Sequence, residues 1–184
     1  GGCFAAPLDD FNVRPGHTIN GAILTVSRSF ESMVRVLFVC HGNICRSTMA
    51  QYVLQHMVEQ ACMAEQFYID SAATSYEEIG NGVHSGTRRK LAQVGIYCGN
   101  HKARHLEKSD YDQFDYIIGM DSANMKNIAR IVGSDYKGKV YKLLQFAGES
   151  GDIADPWYTG NFDVTYEDVE KGCRGFLRFL NERR

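Results

Sequence analysis

The segment between residues 40 and 48 combines residue types that can carry out nucleophilic chemistry on an anion. It reads Cys40, His41, Gly42, Asn43, Ile44, Cys45, Arg46, Ser47 and Thr48. A cysteine thiolate is a strong nucleophile, and an arginine guanidinium stays charged at any working pH and can bind two phosphoryl oxygens at once. We therefore predict that Cys40 attacks an anionic group that Arg46 holds in place.

The residues from His41 to Ser47 are predicted to bind this anion with their backbone. Gly42 and Asn43 tolerate left-handed backbone, which lets successive N–H groups turn inward and form an anion nest. A helix that begins at Ser47 or Thr48 would add the positive end of its dipole and favour the thiolate of Cys40. The alternative is a buried structural cysteine at a strand end, which the agreement among the neighbouring residues disfavours.

Such a loop requires a buried strand before it and a helix after it. Residues 34–39 form a near-continuous apolar run, which is typical of a parallel strand in the middle of a sheet. An apolar stripe at helical spacing follows over residues 49–61. The same Cys-x5-Arg spacing recurs at Cys98 and Arg104, but there no buried strand precedes it and no clear helix follows.

Strand and helix patterns alternate along the rest of the chain. Strands are predicted at residues 67–73, 114–120 and 139–144, and helices at 83–94, at 122–132 and along the C-terminal stripe 169–180. This order predicts a three-layer α/β fold: a four-stranded parallel twisted sheet with helices on both faces and a phosphate-binding loop after strand 1. We expect one domain over residues 33–184.

Residues 1–32 differ from this pattern and are interpreted as an added or processed leader without a part in function. They mix glycine, proline and polar residues ahead of Met33. The alternative is a native N-terminal extension in which residues 22–26 form a short strand that packs on the domain.

Composition limits the partners and the compartment. The net charge is -2, with 20 basic against 22 acidic residues, so we expect no binding to nucleic acid or to an anionic membrane. Six cysteines without C-x2-C spacing indicate reduced thiols in the cytoplasm rather than a disulfide scaffold or a structural zinc site. No cofactor or metal is expected, and the chain is predicted to be a monomer or a weak dimer.

The stretch from Val39 to Ser47 resembles the V-C-x-G-N-x-C-R-S signature of the low-molecular-weight protein tyrosine phosphatases. The resemblance extends from about Met33 to the C-terminus, and residues 70–74 and 114–121 are similar to further stretches of that family. Residues 155–160, Asp-Pro-Trp-Tyr-Thr-Gly, resemble its D-P-aromatic-aromatic loop, whose aspartate is the general acid.

This resemblance implies a two-step, metal-independent hydrolysis of phosphotyrosine in proteins. Cys40 would attack phosphorus while Asp155 protonates the leaving phenol, and water would then release phosphate from the phosphocysteine with Asp155 as base. Arg46 and the loop amides would hold the phosphoryl group. Ser47 would donate a hydrogen bond to the Cys40 sulfur and Asn43 would hold the loop in shape; by residue type alone, Ser47 could instead be a helix N-cap.

Four residues are predicted to line the substrate pocket: Ile44, Phe67, Trp157 and Tyr158. Aromatic walls suit a flat phenyl ring, although Phe67 and Trp157 could equally be core residues. Relatives that act on phosphoarginine carry threonine where Ile44 stands, so an apolar side chain favours phosphotyrosine. Two positions depart from the family pattern, since Thr48 replaces a proline and Trp157 a tyrosine.

Two interpretations of Cys45 have equal weight. It could form a protective disulfide with Cys40 under peroxide, as the family resemblance implies, or fill space in the core.

Two other functions of the protein stay open. The first is thiol-dependent arsenate reduction on the same fold, for which a pair of resolving cysteines is missing. The second is a non-catalytic module that binds phosphotyrosine, which the presence of both Cys40 and Asp155 disfavours.

Overall fold

The computed structural model describes residues 33–183. The strands are β1 (Val34–Cys40), β2 (Phe67–Ala73), β3 (Tyr116–Gly119) and β4 (Val140–Lys142). The helices are α1 (Arg46–Gln60), α2 (Ser85–Gln93), α3 (Asp110–Gln113), α4 (Ser122–Val132), α5 (Pro156–Thr159) and α6 (Phe162–Glu182), with 3-10 helices at Ala64–Gln66 and Leu143–Ala147. The leader assigned to residues 1–32, with its possible strand at 22–26, lies outside the described residues.

The four strands form one parallel sheet in the order β2-β1-β3-β4. β1 lies between two neighbours, as its continuous apolar run predicts, and it pairs with β2 from Val34↔Phe67 to Cys40↔Ala73. The carboxyl ends of parallel strands emerge at one edge of a sheet, where ligands bind in open α/β folds. Cys40, the last residue of β1, therefore lies at the edge where a ligand is expected.

Both faces of the sheet are covered by helices, because successive residues of a strand point to opposite sides. Val36 and Phe38 pack on one face with residues of α1 and α6, including Phe176. Leu37 and Val39 pack on the other face with residues of α3 and α4. The predicted three-layer architecture is confirmed.

The observed elements differ from the sequence prediction in several details, among which β3 is shorter than predicted and α3 is additional. The fourth strand contains only residues 140–142, because the chain turns into a 3-10 helix in which Gln145 accepts a hydrogen bond from the Lys142 amide at 2.7 Å. Helix α1 begins at Arg46, one residue earlier than expected. The short helix α5 was not anticipated; Asp155 caps it, and Pro156 occupies its first turn.

None of the helices among residues 33–183 is both long and apolar enough to cross a membrane.

Candidate active site

The loop between β1 and α1 wraps around the sulfur of Cys40. Asn43 has a φ of 57°, the left-handed conformation predicted for this position. Its backbone N–H donates to Cys40 Sγ at 3.3 Å, and Ser47 Oγ lies 3.1 Å from the same sulfur. Cys40 is 3% exposed. The sulfur therefore lies at the bottom of a loop whose polar groups can stabilise a negative charge on it.

Asn43 holds this loop to the rest of the domain. Its Nδ2 donates to Ser47 Oγ at 2.9 Å and to Ser71 Oγ at 2.8 Å, while its Oδ1 accepts from the Arg104 amide at 3.1 Å. Since Ser47 Oγ accepts from Asn43, the hydroxyl hydrogen of Ser47 remains available to Cys40. The predicted roles of both side chains are compatible with these contacts, and Ser47 is not the N-cap, because α1 already begins at Arg46.

His101 supports the loop from outside. Its Nε2 lies 2.9 Å from the carbonyl oxygen of Asn43. Burial lowers the pKa of His101 against the opposing effects of that hydrogen bond and of Asp70. The ring is therefore neutral near pH 7, and its Nε2–H donates to the loop carbonyl.

The guanidinium of Arg46 is buried and anchored from three sides. Nη1 donates to the Asp121 carboxylate at 2.5 Å and to the Ile153 carbonyl at 3.1 Å, and Nη2 donates to Asp155 at 2.9 Å. Burial disfavours the charge, but the negative charges of Cys40, Asp121 and Asp155 outweigh burial and raise the pKa of Arg46. Its Nε has no partner among the described residues, so this donor remains available to a ligand.

The two carboxylates that hold Arg46 are each fixed at a helix N-terminus. Asp121 caps α4 by accepting from the Asn124 amide at 2.6 Å. Asp155 caps α5 by accepting from the Trp157 amide at 3.1 Å, while its other oxygen binds Arg46. An N-cap side chain accepts from the free N–H groups of the first turn, which fixes its rotamer. Asp155 is therefore oriented before any ligand binds.

Cys45 differs from Cys40 in its electrostatics. Burial, followed by the negative charges of Cys40 and Asp155, raises the pKa of Cys45 to about 12. Cys45 is therefore a neutral thiol near pH 7. Its carbonyl oxygen accepts from Thr48 Oγ1 at 2.9 Å, so the threonine that replaces a proline makes its own contact with the loop.

One cavity brings most of these groups together. Its described lining consists of Cys40, His41, Gly42, Ile44, Cys45, Glu77, Glu78, Asp155, Trp157 and Tyr158. A sulfur nucleophile, a carboxyl group that can carry a proton and a buried cation with a free donor can together displace a leaving oxygen from phosphorus.

The comparison with known proteins agrees with this chemistry. The model of the family described as "Low molecular weight phosphotyrosine protein phosphatase" matches residues 35–184. The chain belongs to this family.

Two curated relatives illustrate how much of the chain is shared. The low molecular weight protein-tyrosine-phosphatase YfkJ of Bacillus subtilis is 34% identical over 154 residues, which cover 83% of this chain and 99% of YfkJ. The low molecular weight phosphotyrosine protein phosphatase of Schizosaccharomyces pombe is 41% identical over 152 residues, 80% of this chain and 97% of the relative. The match therefore spans nearly the whole length of both relatives.

Solved structures extend the likeness to the fold. The crystal structure of YfkJ superposes with a TM-score of 0.80 at 35% identity and covers 84% of this chain and 98% of YfkJ. The crystal structure described as DARP, drosophila arginine phosphatase, superposes with a TM-score of 0.71 at 29% identity and covers 79% of this chain and 96% of that one.

Three of the four predicted pocket residues lie in the cavity of this phosphatase. Ile44 is almost fully buried in the loop, whereas Trp157 and Tyr158 are 56% and 82% exposed at the mouth. Trp157 packs edge-on against His84, with ring centroids 5.6 Å apart. Of the loop residues, Asn43, Arg46 and Ser47 lie behind the cavity lining and act on it through Cys40 and Asp155.

The prediction that Phe67 lines the substrate pocket is wrong. Phe67 is the first residue of β2 and pairs with Val34, whereas Cys40 pairs with Ala73 at the other end of the same strands. Six residues of strand separate the two ends by roughly 20 Å. Phe67 instead packs in the core beneath α1, which is the alternative considered for it.

Sequence reasoning missed two acidic residues of this site, Glu77 and Glu78. They lie in the segment that follows β2, whose last residue pairs with Cys40. The sequence signal that could have found them is their position after a strand next to β1, because such segments lie at the ligand-binding edge of the sheet.

The second Cys-x5-Arg match has a structural role, since Arg104 binds Asp70 and Asp110 and supports Asn43.

Proposed function

We propose that this phosphatase hydrolyses phosphotyrosine in proteins through a phosphocysteine formed on Cys40. The observation that carries the proposal is the meeting of Cys40 and Asp155 in one cavity, where Asp155 accepts a hydrogen bond from the buried guanidinium of Arg46. The nucleophile, the proton donor and the cation that phosphoryl transfer needs are then all present.

In the first step, the Cys40 sulfur attacks phosphorus as the bond from phosphorus to the phenolic oxygen breaks. The leaving oxygen takes the proton of Asp155, so the phenol departs neutral. Asp155 is suited to this role because its N-cap contact with the Trp157 amide aims it into the cavity. An incoming phosphoryl dianion competes with the Asp155 carboxylate for Arg46 and frees it from this ion pair. The freed carboxylate takes up a proton from solvent, and this is the proton that it passes to the leaving oxygen.

In the second step, water attacks phosphorus and the bond from phosphorus to sulfur breaks. Asp155, now ionised, accepts a proton from the water, and the electron pair returns to the Cys40 sulfur. Phosphate leaves and the thiolate is regenerated. Ser47 Oγ, 3.1 Å from this sulfur, and the Asn43 amide, 3.3 Å away, support the sulfur as a leaving group.

Negative charge on the transferring group is stabilised by Arg46 and by the loop amides. The Nε donor of Arg46, unpaired within the described part of the chain, is free to bind a phosphoryl oxygen. Fixed donors in a water-poor site stabilise a transition state without reorganisation. Metal ions are not needed to neutralise the phosphoryl oxygens.

The pocket walls favour phosphotyrosine as the substrate. Trp157 and Tyr158 stand at the mouth as aromatic surfaces for a phenyl ring, and Ile44 lines the cavity without a polar atom. Phosphoarginine is the second candidate, because a relative of similar fold is described as an arginine phosphatase. Arsenate reduction is less favoured, since Cys98 and Cys173 are buried elsewhere and Cys45 is the other cysteine among the described lining residues.

The decisive test compares three substrates: a phosphotyrosine peptide, free phosphoarginine and a phosphoserine peptide. Each is assayed in reductant, with and without EDTA, from mildly acidic to neutral pH. We expect fast release of phosphate from phosphotyrosine alone. Turnover restricted to phosphoarginine would overturn the substrate assignment. Loss of activity in EDTA would overturn the metal-independent mechanism, and no release from any of the three would favour arsenate reduction or simple binding.

We further propose that residues 33–184 form the functional unit, that it works in the cytoplasm as a monomer or weak dimer, and that it binds neither nucleic acid nor membranes. Free thiols at Cys40, Cys45, Cys98 and Cys173 support a reducing compartment. A truncated chain that begins at Met33 should keep the full kcat/KM, and sedimentation should give the monomer mass at micromolar concentration.

A further inference from the structure

The rim of the active-site cavity has an uneven distribution of charge. Among its described lining residues, Glu77, Glu78 and Asp155 are acidic, and His41 is the basic one. The Arg46 guanidinium below is already paired with Asp121 and Asp155. A substrate therefore approaches the phosphate loop past two carboxylates that are not paired with the catalytic arginine.

Both glutamates are held at the mouth by specific contacts. Glu78 accepts a hydrogen bond from Asn81 Nδ2 at 2.7 Å, and its aliphatic stem packs over Gly42, where an added Cβ would lie 3.3 Å from Glu78 Cγ. Glu77 lies 3.1 Å from His41 Nε2, and the two side chains are 72% and 48% exposed. The carboxylates are thus fixed beside the phosphate loop while remaining open to solvent.

The turn that carries them is itself attached to the domain by backbone hydrogen bonds. The Gly80 amide donates to the Ala103 carbonyl at 2.8 Å, and the Ala103 amide donates back to the Asn81 carbonyl at 2.8 Å. At its beginning, the Ser75 amide donates to the His41 carbonyl at 3.0 Å. The acidic turn therefore keeps its position relative to the loop that binds phosphate.

From this placement we infer that Glu77 and Glu78 select phosphotyrosine segments with lysine or arginine close to the phosphotyrosine. The inference rests on the proposed function and names the peptide class for the same site. Flanking cations offset the repulsion between the phosphate dianion and the rim, whereas flanking carboxylates add to it. At a solvent-exposed surface, one attraction between charges several ångströms apart changes an equilibrium constant about threefold. Two carboxylates therefore give about a tenfold preference for a flanking cation over a neutral residue.

The test uses three peptides that share one phosphotyrosine and differ only in the residue before it and the residue after it. Both of these residues are lysine in the first peptide, glutamine in the second and glutamate in the third. The kcat/KM is measured in 20 mM and in 300 mM NaCl. The wild-type protein should prefer the lysine peptide to the glutamine peptide by about tenfold at low salt, with the glutamate peptide slower still. The preference should shrink at high salt because ions screen exposed charges.

The double substitution Glu77→Gln and Glu78→Gln should reduce the preference to about twofold or less. Glu65→Gln is the matched control, because Glu65 is an exposed glutamate in the 3-10 helix before β2, at the end of the sheet away from Cys40. This variant should keep both the activity and the preference of the wild type.

Equal kcat/KM values for the three peptides, or an undiminished preference in the double variant, would overturn this inference while leaving the proposed function intact. Absence of turnover of every peptide and of 4-nitrophenyl phosphate by the wild type would instead refute the proposed function itself, and this inference with it.

Discussion

Arg46 Nη2 donates a hydrogen bond to the Asp155 carboxylate at 2.9 Å, across 109 positions of sequence. Asp155, the proposed general acid, is therefore bound to Arg46, the residue proposed to bind phosphate, before substrate enters. Asp121 holds the same guanidinium from the other side, so Arg46 keeps its place when Asp155 is released. This arrangement couples the arrival of a phosphoryl dianion to the freeing of the proton donor.

Substitution of Asp155 by alanine should lower kcat for a phosphotyrosine peptide by about 10²- to 10⁴-fold, because general acid catalysis contributes this much. The loss should be smaller for an aryl phosphate with a good leaving group, which departs without a proton. Initial rates across a series of leaving groups measure the effect. Asp152→Ala is the matched control, since Asp152 binds Lys142 and Ser122 and does not line the cavity; equal losses for all leaving groups would exclude Asp155 as the acid.

Substitution of Cys40 by serine should abolish turnover and keep phosphate binding, because the loop amides and Arg46 remain. The chain contains one tryptophan, Trp157, which stands at the mouth of the cavity. Its fluorescence during titration with phosphate therefore reports binding directly. Cys62→Ser serves as the control with normal turnover, and measurable turnover by the Cys40 variant would refute the phosphocysteine mechanism.

Asn43→Ala should reduce both activity and stability. The variant leaves the Arg104 amide without its side-chain acceptor and removes one of the two hydrogen bonds of Ser71 Oγ, which still donates to Gln51. The expected cost is roughly 1–3 kcal/mol of unfolding free energy. The kcat/KM should fall by at least tenfold, since the loop loses its support. Urea unfolding and peptide kinetics measure the two effects. Asn100→Ala, at an exposed position, should change neither by a comparable amount; a stable but inactive Asn43 variant would separate its role in the loop from its role in folding.

Protection against peroxide should depend on pH through Cys45. A disulfide with oxidised Cys40 requires the Cys45 thiolate, and the pKa of Cys45 is raised to about 12, first by burial and then by the charge of Cys40. The thiolate fraction rises about tenfold per pH unit below that value. The activity recovered by thiols after peroxide should therefore increase from pH 6 to pH 9. Cys45→Ser should leave the sulfenic acid of Cys40 open to further oxidation, so that less activity is recovered at every pH. Equal recovery in that variant would show that Cys45 does not protect Cys40.

Gly86→Ala should destabilise the contact between α2 and α6. A Cβ at this position would lie 2.3 Å from the ring of Phe162, which stacks on His84 beside Trp157. Overpacking of this kind typically lowers the free energy of unfolding by about 1–3 kcal/mol. The displaced Phe162 ring should also shift His84 and Trp157, and so raise KM, because Trp157 lines the mouth of the cavity. Gly82→Ala is the matched control, because the nearest atom to its Cβ is 3.7 Å away. Identical melting temperatures of the two variants would contradict this packing.

The sequence by itself determined the phosphate loop and the sheet around it. The loop between Cys40 and Arg46 is contiguous, so residue types and spacing alone specify its turn, its N–H groups and the helix that follows. The apolar run of β1 likewise specified a central parallel strand, since only burial on both faces tolerates it. Asp155 was recognised through its motif, but its bond to Arg46 was not visible there.

Only the tertiary structure decided which distant side chains share the cavity. Phe67 and Trp157 were both candidates as aromatic walls. The register of β2 against β1 placed Phe67 in the core, whereas helix α5 carries Trp157 at the mouth of the cavity. The same register brought Glu77 and Glu78 beside the phosphate loop. Contacts of this kind depend on how strands pair and helices pack over the whole domain, and local residue spacing carries no information about them.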